Sequence, residues 1–164
     1  MADISKLIAA LSSSNAEKRV AAAEGLAELG ADAHPAALAL VRASSDANEE
    51  VREAAVAALE ELGPPALADL PTLMTFFHAP ELDRAYWAIT LVGRLGQEAG
   101  EAVGGLIEAL SPSHELTVRQ RAAWALGEIG PAASAARRSL TQAAQTGDPR
   151  LARLAQDAID QIDG

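Results

Sequence analysis

Alanine, leucine and glycine recur in this chain at a fixed interval of 33 residues, and that period restricts the fold more than any other property. Near-copies run over Val51–Gly63, Ala88–Gly96 and Val118–Gly130. Aligned, they extend into ladders of five rungs: Ala22, Ala55, Ala88, Ala122, Ala155; Leu26, Leu59, Val92, Leu126, Ile159; and Leu29, Leu62, Leu95, Ile129, Ile162. Upstream runs a fourth: Leu7, Leu40, Leu73, Leu106, Leu140. One extra residue between Leu106 and Leu126 places an insertion in the loop Ser111-Pro112-Ser113-His114. A period of roughly 20–50 residues marks a chain built from one small unit stacked on its own copies.

Each unit reads as two helices. Val51, Ala55, Leu59 and Leu62 follow the spacing of one face of a 3.6-residue helix. Gly30, Gly63, Gly96 and Gly130 come just after the last apolar residue, where a left-handed C-terminal residue is wanted. Pro64-Pro65 and Pro131 then stop the helix. The first helix carries the pairs Leu40-Val41, Leu73-Met74 and Leu106-Ile107, and polar turns such as Ser12–Asn15, Ser44–Asp46 and Gly147–Pro149 lead into the second. No segment alternates as a strand does. The reading is all-α: five antiparallel hairpins, about ten helices, stacked into a right-handed, curved α-solenoid. The alanine ladder, part of 39 alanines in 164 residues, lets neighbouring second helices approach closely.

Composition removes several functions. With no cysteine, disulfides, iron–sulfur clusters and thiol catalysis are excluded, and a reducing, cytoplasmic setting fits. The net charge of −10 points away from nucleic acid and anionic lipid. No apolar run approaches the roughly 20 residues of a membrane span, and the N-terminus lacks a charged-then-apolar secretory pattern. Ile4, Leu7, Ile8 and Leu11 form an apolar stripe that Asp3, Ser5 and Lys6 border, so the chain reads as nearly self-contained and as a monomer.

The repeats, most clearly Arg119–Gly130, resemble the HEAT-repeat family, especially the short bacterial kind also found in phycobilin-lyase-like proteins. The family's aspartate and arginine, six residues apart and linking successive repeats, match Asp46 and Arg52; elsewhere the pairs are Ser13/Arg19, Ala79/Ala85 and Ser113/Arg119. The ionic ladder is therefore expected to be patchy, with hydrophobic stacking doing most of the holding. The resemblance implies one domain over 1–164, with repeats at about 1–30, 31–63, 64–96, 97–130 and 131–164. It also implies a non-enzymatic scaffold that binds a protein or peptide along a concave face lined by second helices. The alternative it leaves open is a phycobilin lyase-like enzyme, or a subunit that regulates a lyase or other enzyme.

Catalytic constellations of related folds find no match. Deoxyhypusine hydroxylase sets His-Glu pairs at the start of its second helices for two irons, whereas Glu53-Ala54, Tyr86-Trp87 and Gln120-Arg121 stand here. His34, His78 and His114 fall at turns or helix ends of different repeats and read as solvated residues, since a metal site needs converging ligands. No glycine-rich phosphate loop is present. The expectation is no cofactor, no metal and no catalytic residue.

A binding face follows from helical phase. Its columns are Val20, Glu53, Tyr86, Gln120, Arg153; Glu24, Ala57, Thr90, Trp124, Asp157; and Ala27, Glu60, Gly93, Gly127, Asp160, with Trp87 at the flank. Tyr86, Trp87, Thr90, Gln120 and Trp124, with Glu53 and Glu60, are the candidate partner-binding residues. Gly93 and Gly127 are expected to leave room for a partner. Trp124 has a second reading, as a cover for the adjacent helix. Residues 31–63 hold seven acids against Arg42 and Arg52, a net −5, which would suit a basic partner segment, though a charge run can also be just a solvated face.

Overall fold

Asn15, Asn48 and Asp148 each open a helix by accepting the backbone N–H three residues on, at 3.1, 3.1 and 2.7 Å. These bonds satisfy amides that a helix start leaves without partners. The computed structural model describes residues 3–164, and among them every regular element is helical. The chain divides into two compact units, one ending at Asp69 and one beginning at Leu70.

The first unit holds α1 (Ile4–Ala10), α2 (Ala16–Leu29), α3 (Ala37–Ala43) and α4 (Glu49–Glu61). Helix α1 packs on α2 and α3 on α4, with α2 and α4 side by side. The second unit holds α5 (Leu70–Met74), α6 (Leu82–Arg94), α7 (Val103–Ala109), α8 (Leu116–Ile129), α9 (Arg137–Ala144) and α10 (Pro149–Asp163). Its second helices run in the order α6, α8, α10, each against the next, and α5, α7 and α9 pack on α6, α8 and α10 in turn. The ladder alanines Ala22, Ala55, Ala88, Ala122 and Ala155 are buried throughout. So are Leu26, Leu59, Val92 and Leu126, and Leu40, Leu73, Leu106 and Leu140. Leu7 and Ile159, on end rungs, remain partly exposed.

The helix ends differ from expectation at one glycine. Gly30, Gly96 and Gly130 have positive φ, and each leads into a 3₁₀ turn (Gly30–Ala36, Gly96–Ala102, Gly130–Ala136) before the next helix. Gly63 does not: α4 ends at Glu61 and Leu62 is already extended at φ −68°, ψ 128°, so the chain has left the helix before it reaches the glycine. The extra residue of the fourth repeat lies in the turn between α7 and α8, where the His114 amide bonds the Ser111 carbonyl at 3.0 Å.

Candidate functional site

The richest side-chain cluster sits where α6 and α8 meet in the second unit. Tyr86, on the first half of α6, and Trp124, in the middle of α8, are both half-buried. Between them lies Arg121, one turn before Trp124, with its guanidinium carbon 4.4 Å from the Tyr86 ring centre and 5.0 Å from that of Trp124. Its Nη2 also donates to the Tyr86 hydroxyl. A cation held over two aromatic faces is attracted by both ring quadrupoles, so the three side chains stiffen one another. Trp87 meets Tyr86 edge-on at 5.5 Å and lies under Arg94 at 6.0 Å.

Gly93 seats the tryptophan. A Cβ on Gly93 would stand 2.4 Å from Trp124 Cζ3, so the ring occupies the space that the missing side chain leaves. Gly127 does the same for the following helix, with a Cβ there falling 3.1 Å from the Ala158 Cα of α10. Neither glycine is an open place for a partner: both are buried, and helix-to-helix packing fills them.

The candidate residues thus separate. Tyr86 and Trp124 come together and keep part of their surface in solvent. Trp87 and Thr90 are buried, 7% and 4% exposed, contrary to the helical-phase columns, and the Thr90 hydroxyl donates to the Tyr86 carbonyl at 2.8 Å. The phase of α6 alone could not reveal this, because it does not show which neighbouring elements pack over that face. Gln120 is half-buried and donates through Nε2 to Asp148 Oδ1 at 3.0 Å, tying α8 to the start of α10. The Leu151 amide and this Gln120 contact hold the Asp148 carboxyl below its usual range. Glu53 and Glu60 are exposed on α4 in the first unit. Arg121 was absent from the expectation, although its place three residues before Trp124 on one helix face was a usable signal.

In the first unit, Asp46 receives two bonds from Arg19, Nη2 to Oδ1 at 2.8 Å and Nε to Oδ2 at 2.9 Å, linking the first repeat to the second. Those bonds hold the Asp46 carboxyl below its ordinary range, against the opposing effect of burial. Arg52 turns instead to the Asp46 carbonyl at 2.8 Å. Two of the three histidines meet, against the expectation of separate turn residues. The His78 and His114 rings lie 5.0 Å apart, and His78 Nε2 is 3.3 Å from Glu108 Oε2. Among the described residues no group of three or more His, Asp or Glu is arranged to hold a metal ion.

Helical hairpins in a fixed register, joined through buried alanines, define an α-helical repeat protein. A family model of HEAT repeats matches residues 4–85 and again 70–160, and the chain belongs to the HEAT-repeat family. No curated protein matches the chain. Among solved structures, the complex of CpcE and CpcF of phycocyanin lyase from Nostoc sp. PCC7120 is similar with TM-score 0.72 at 23% identity. That match covers 99% of this chain and 65% of that one. A designed armadillo repeat protein in complex with a (KR)4 peptide gives TM-score 0.67 at 19% identity, covering 97% and 81%. An engineered protein gives 0.66 at 20%, and there the chain covers 98% of itself but spans only 48% of its relative. At these identities the likeness is one of fold.

Proposed function

We propose that the chain is a non-enzymatic HEAT-repeat scaffold that holds a protein or peptide against the second-helix side of its hairpins, the side lining the concave face in solenoids of this family. The observation that carries this reading is the Tyr86–Arg121–Trp124 stack. It is half-exposed, aromatic, and already ordered by Gly93 and the cation between the rings. Rigid aromatics and arginine dominate interface energetics because little conformational entropy is lost when they are buried. The test is recovery of partners on the immobilised full chain, with Tyr86→Ala/Trp124→Ala beside wild type. Partners lost in the variant at an unchanged helical spectrum support the reading. Equal recovery overturns it.

The exposed Glu53 and Glu60 of α4, in the most acidic repeat, suit a basic segment. The designed armadillo neighbour was solved with such a peptide, (KR)4. Binding of a labelled (Lys-Arg)4 peptide is expected to fall steeply between low and high salt and to weaken in Glu53→Gln/Glu60→Gln. Salt-insensitive binding would exclude it. We read the chain further as one right-handed, five-repeat solenoid acting as a monomer in the cytoplasm. The support is the common register of the ladders from Leu7 to Ile162, shifted once by the extra residue of the fourth repeat, and the cysteine-free composition. Scattering from the chain in solution tests the length and mass this implies.

A further inference from the structure

The two units each contain a cavity between neighbouring first helices, and the two cavities occupy the same place in the repeat. In the first unit it holds about 250 Å³ and is lined by Ile8, Leu11, Ala43 and Asp46 among others. In the second it holds about 320 Å³, with Ile107, Leu110, Ser111, Ala143, Thr146 and Arg119 in its wall. By the ladder register, Ile107 corresponds to Ile8, Leu110 to Leu11, Ala143 to Ala43, and Arg119 to Arg19. Thr146 corresponds to Asp46, two residues before the helix-opening Asp148 as Asp46 is two before Asn48.

The linings differ in chemistry at Ala39/Ser139, Arg42/Gln142 and Asp46/Thr146, and the last of these removes a charge that faces an arginine. In the first unit the Asp46 carboxylate stands at the cavity and takes two hydrogen bonds from Arg19. In the second unit threonine replaces that carboxylate, and the arginine itself forms part of the wall. Arg119 donates through Nε to the Leu110 carbonyl at 3.1 Å, whereas Arg19 gives Nη1 to the Ser13 carbonyl and Nε and Nη2 to Asp46, so the nitrogens that Arg119 offers a carboxylate are its Nη groups. It forms no salt bridge among the described residues. The Thr146 hydroxyl is buried and has no hydrogen-bond partner. A buried polar group without a partner is costly, and a guanidinium offers a planar fork of donors that suits a carboxylate.

We propose that this cavity is a carboxylate socket: a ligand's carboxyl group sits where Asp46 sits in the first unit. It accepts from Arg119, brings an acceptor to the Thr146 hydroxyl, and rests its aliphatic portion on Ile107, Leu110 and Ala143. The last repeat is formally neutral, with four arginines against four aspartates in residues 131–164, while the whole chain is at −10. Two sources offer this chemistry, a free aliphatic acid and an acidic side chain of a peptide.

The full chain, labelled with ¹⁵N, is titrated with butyrate, with the capped peptide Leu-Glu-Leu, and with its Leu-Gln-Leu counterpart. The expected result is saturable shifts of the Arg119 side-chain Nε–H and the Ala143 and Thr146 amides with a carboxylate ligand and none with Leu-Gln-Leu. Saturation by butyrate identifies a small acid; saturation by Leu-Glu-Leu and not butyrate identifies an acidic side chain. Thr146→Asp supplies the carboxylate internally and should weaken binding at least tenfold while raising the melting temperature, and Arg119→Gln should weaken it similarly. In Asp46→Thr a second set of shifts should appear around Arg19. No saturable shift with either acid, or unchanged affinity in Thr146→Asp, overturns the proposal.

Discussion

Gly93 and Trp124 show how a missing side chain directs packing. The ring fills the space a Cβ would take, so Gly93→Ala must displace it and is expected to destabilise the fold by about 1–3 kcal/mol. That loss should appear although alanine is favoured over glycine in a helix by about 1 kcal/mol. Gly104→Ala, on the exposed side of α7 where an added Cβ meets nothing within 4 Å, should instead stabilise by up to about 1 kcal/mol. Thermal unfolding of the two variants gives opposite shifts, and a neutral Gly93→Ala would mean the ring is free to swing. Two aspartates oppose each other in pH dependence. Asp46 is held below its ordinary value by Arg19, so its contribution is present above about pH 4 and fades as the pH falls through the folded value. The destabilisation caused by Asp46→Asn should therefore shrink in urea unfolding at pH 3 relative to pH 7. Burial raises Asp69 against the opposing effect of His34, so its stability contribution is greatest at low pH and is lost as pH rises toward the folded value. Asp69→Asn should stabilise at pH 7 and have no effect at pH 3, and a gain that persists at pH 3 would contradict this.

At the scale of elements, the second helices were legible because their ladders repeat an apolar face, and the buried rungs follow it from Ala22 to Ala155. The 3₁₀ turns were not, since glycine at a helix end signals a stop without saying what comes next. Gly63 was misread for a related reason: α4 ends one residue earlier, at an extended Leu62, so no left-handed residue is needed there. Thr90 and Trp87 were misread because projecting one helix cannot show what a neighbour lays across it. Helix ends also differ in quality. Helices α6 and α8 begin at Glu81 and Glu115 with no side-chain hydrogen bond to the first turn, unlike α2, α4 and α10. A shorter carboxylate can reach those amides, so Glu115→Asp is expected to stabilise by about 1 kcal/mol. Denaturant midpoints check it, and no shift would mean solvent already serves the amides equally well.

For the whole molecule, periodicity carried the family and the hairpin architecture, while single residues that break the period carry the candidate sites. Tyr86, Arg121 and Trp124 differ from their counterparts in other repeats, and so does Asp46, which stands in the column of Ser13, Ala79, Ser113 and Thr146. Such departures are visible in a sequence, but their partners are not: Arg121 joins two rings only once α6 and α8 are side by side. The central claim is that the Tyr86–Arg121–Trp124 surface binds a peptide. It is tested most directly by selecting a random peptide library on the full chain and measuring the enriched peptides against Tyr86→Ala/Trp124→Ala. The expected result is saturable binding to wild type that weakens at least tenfold in the variant, with the helical spectrum unchanged. Enriched peptides that bind both proteins equally, or no enrichment over a blank surface, would contradict it.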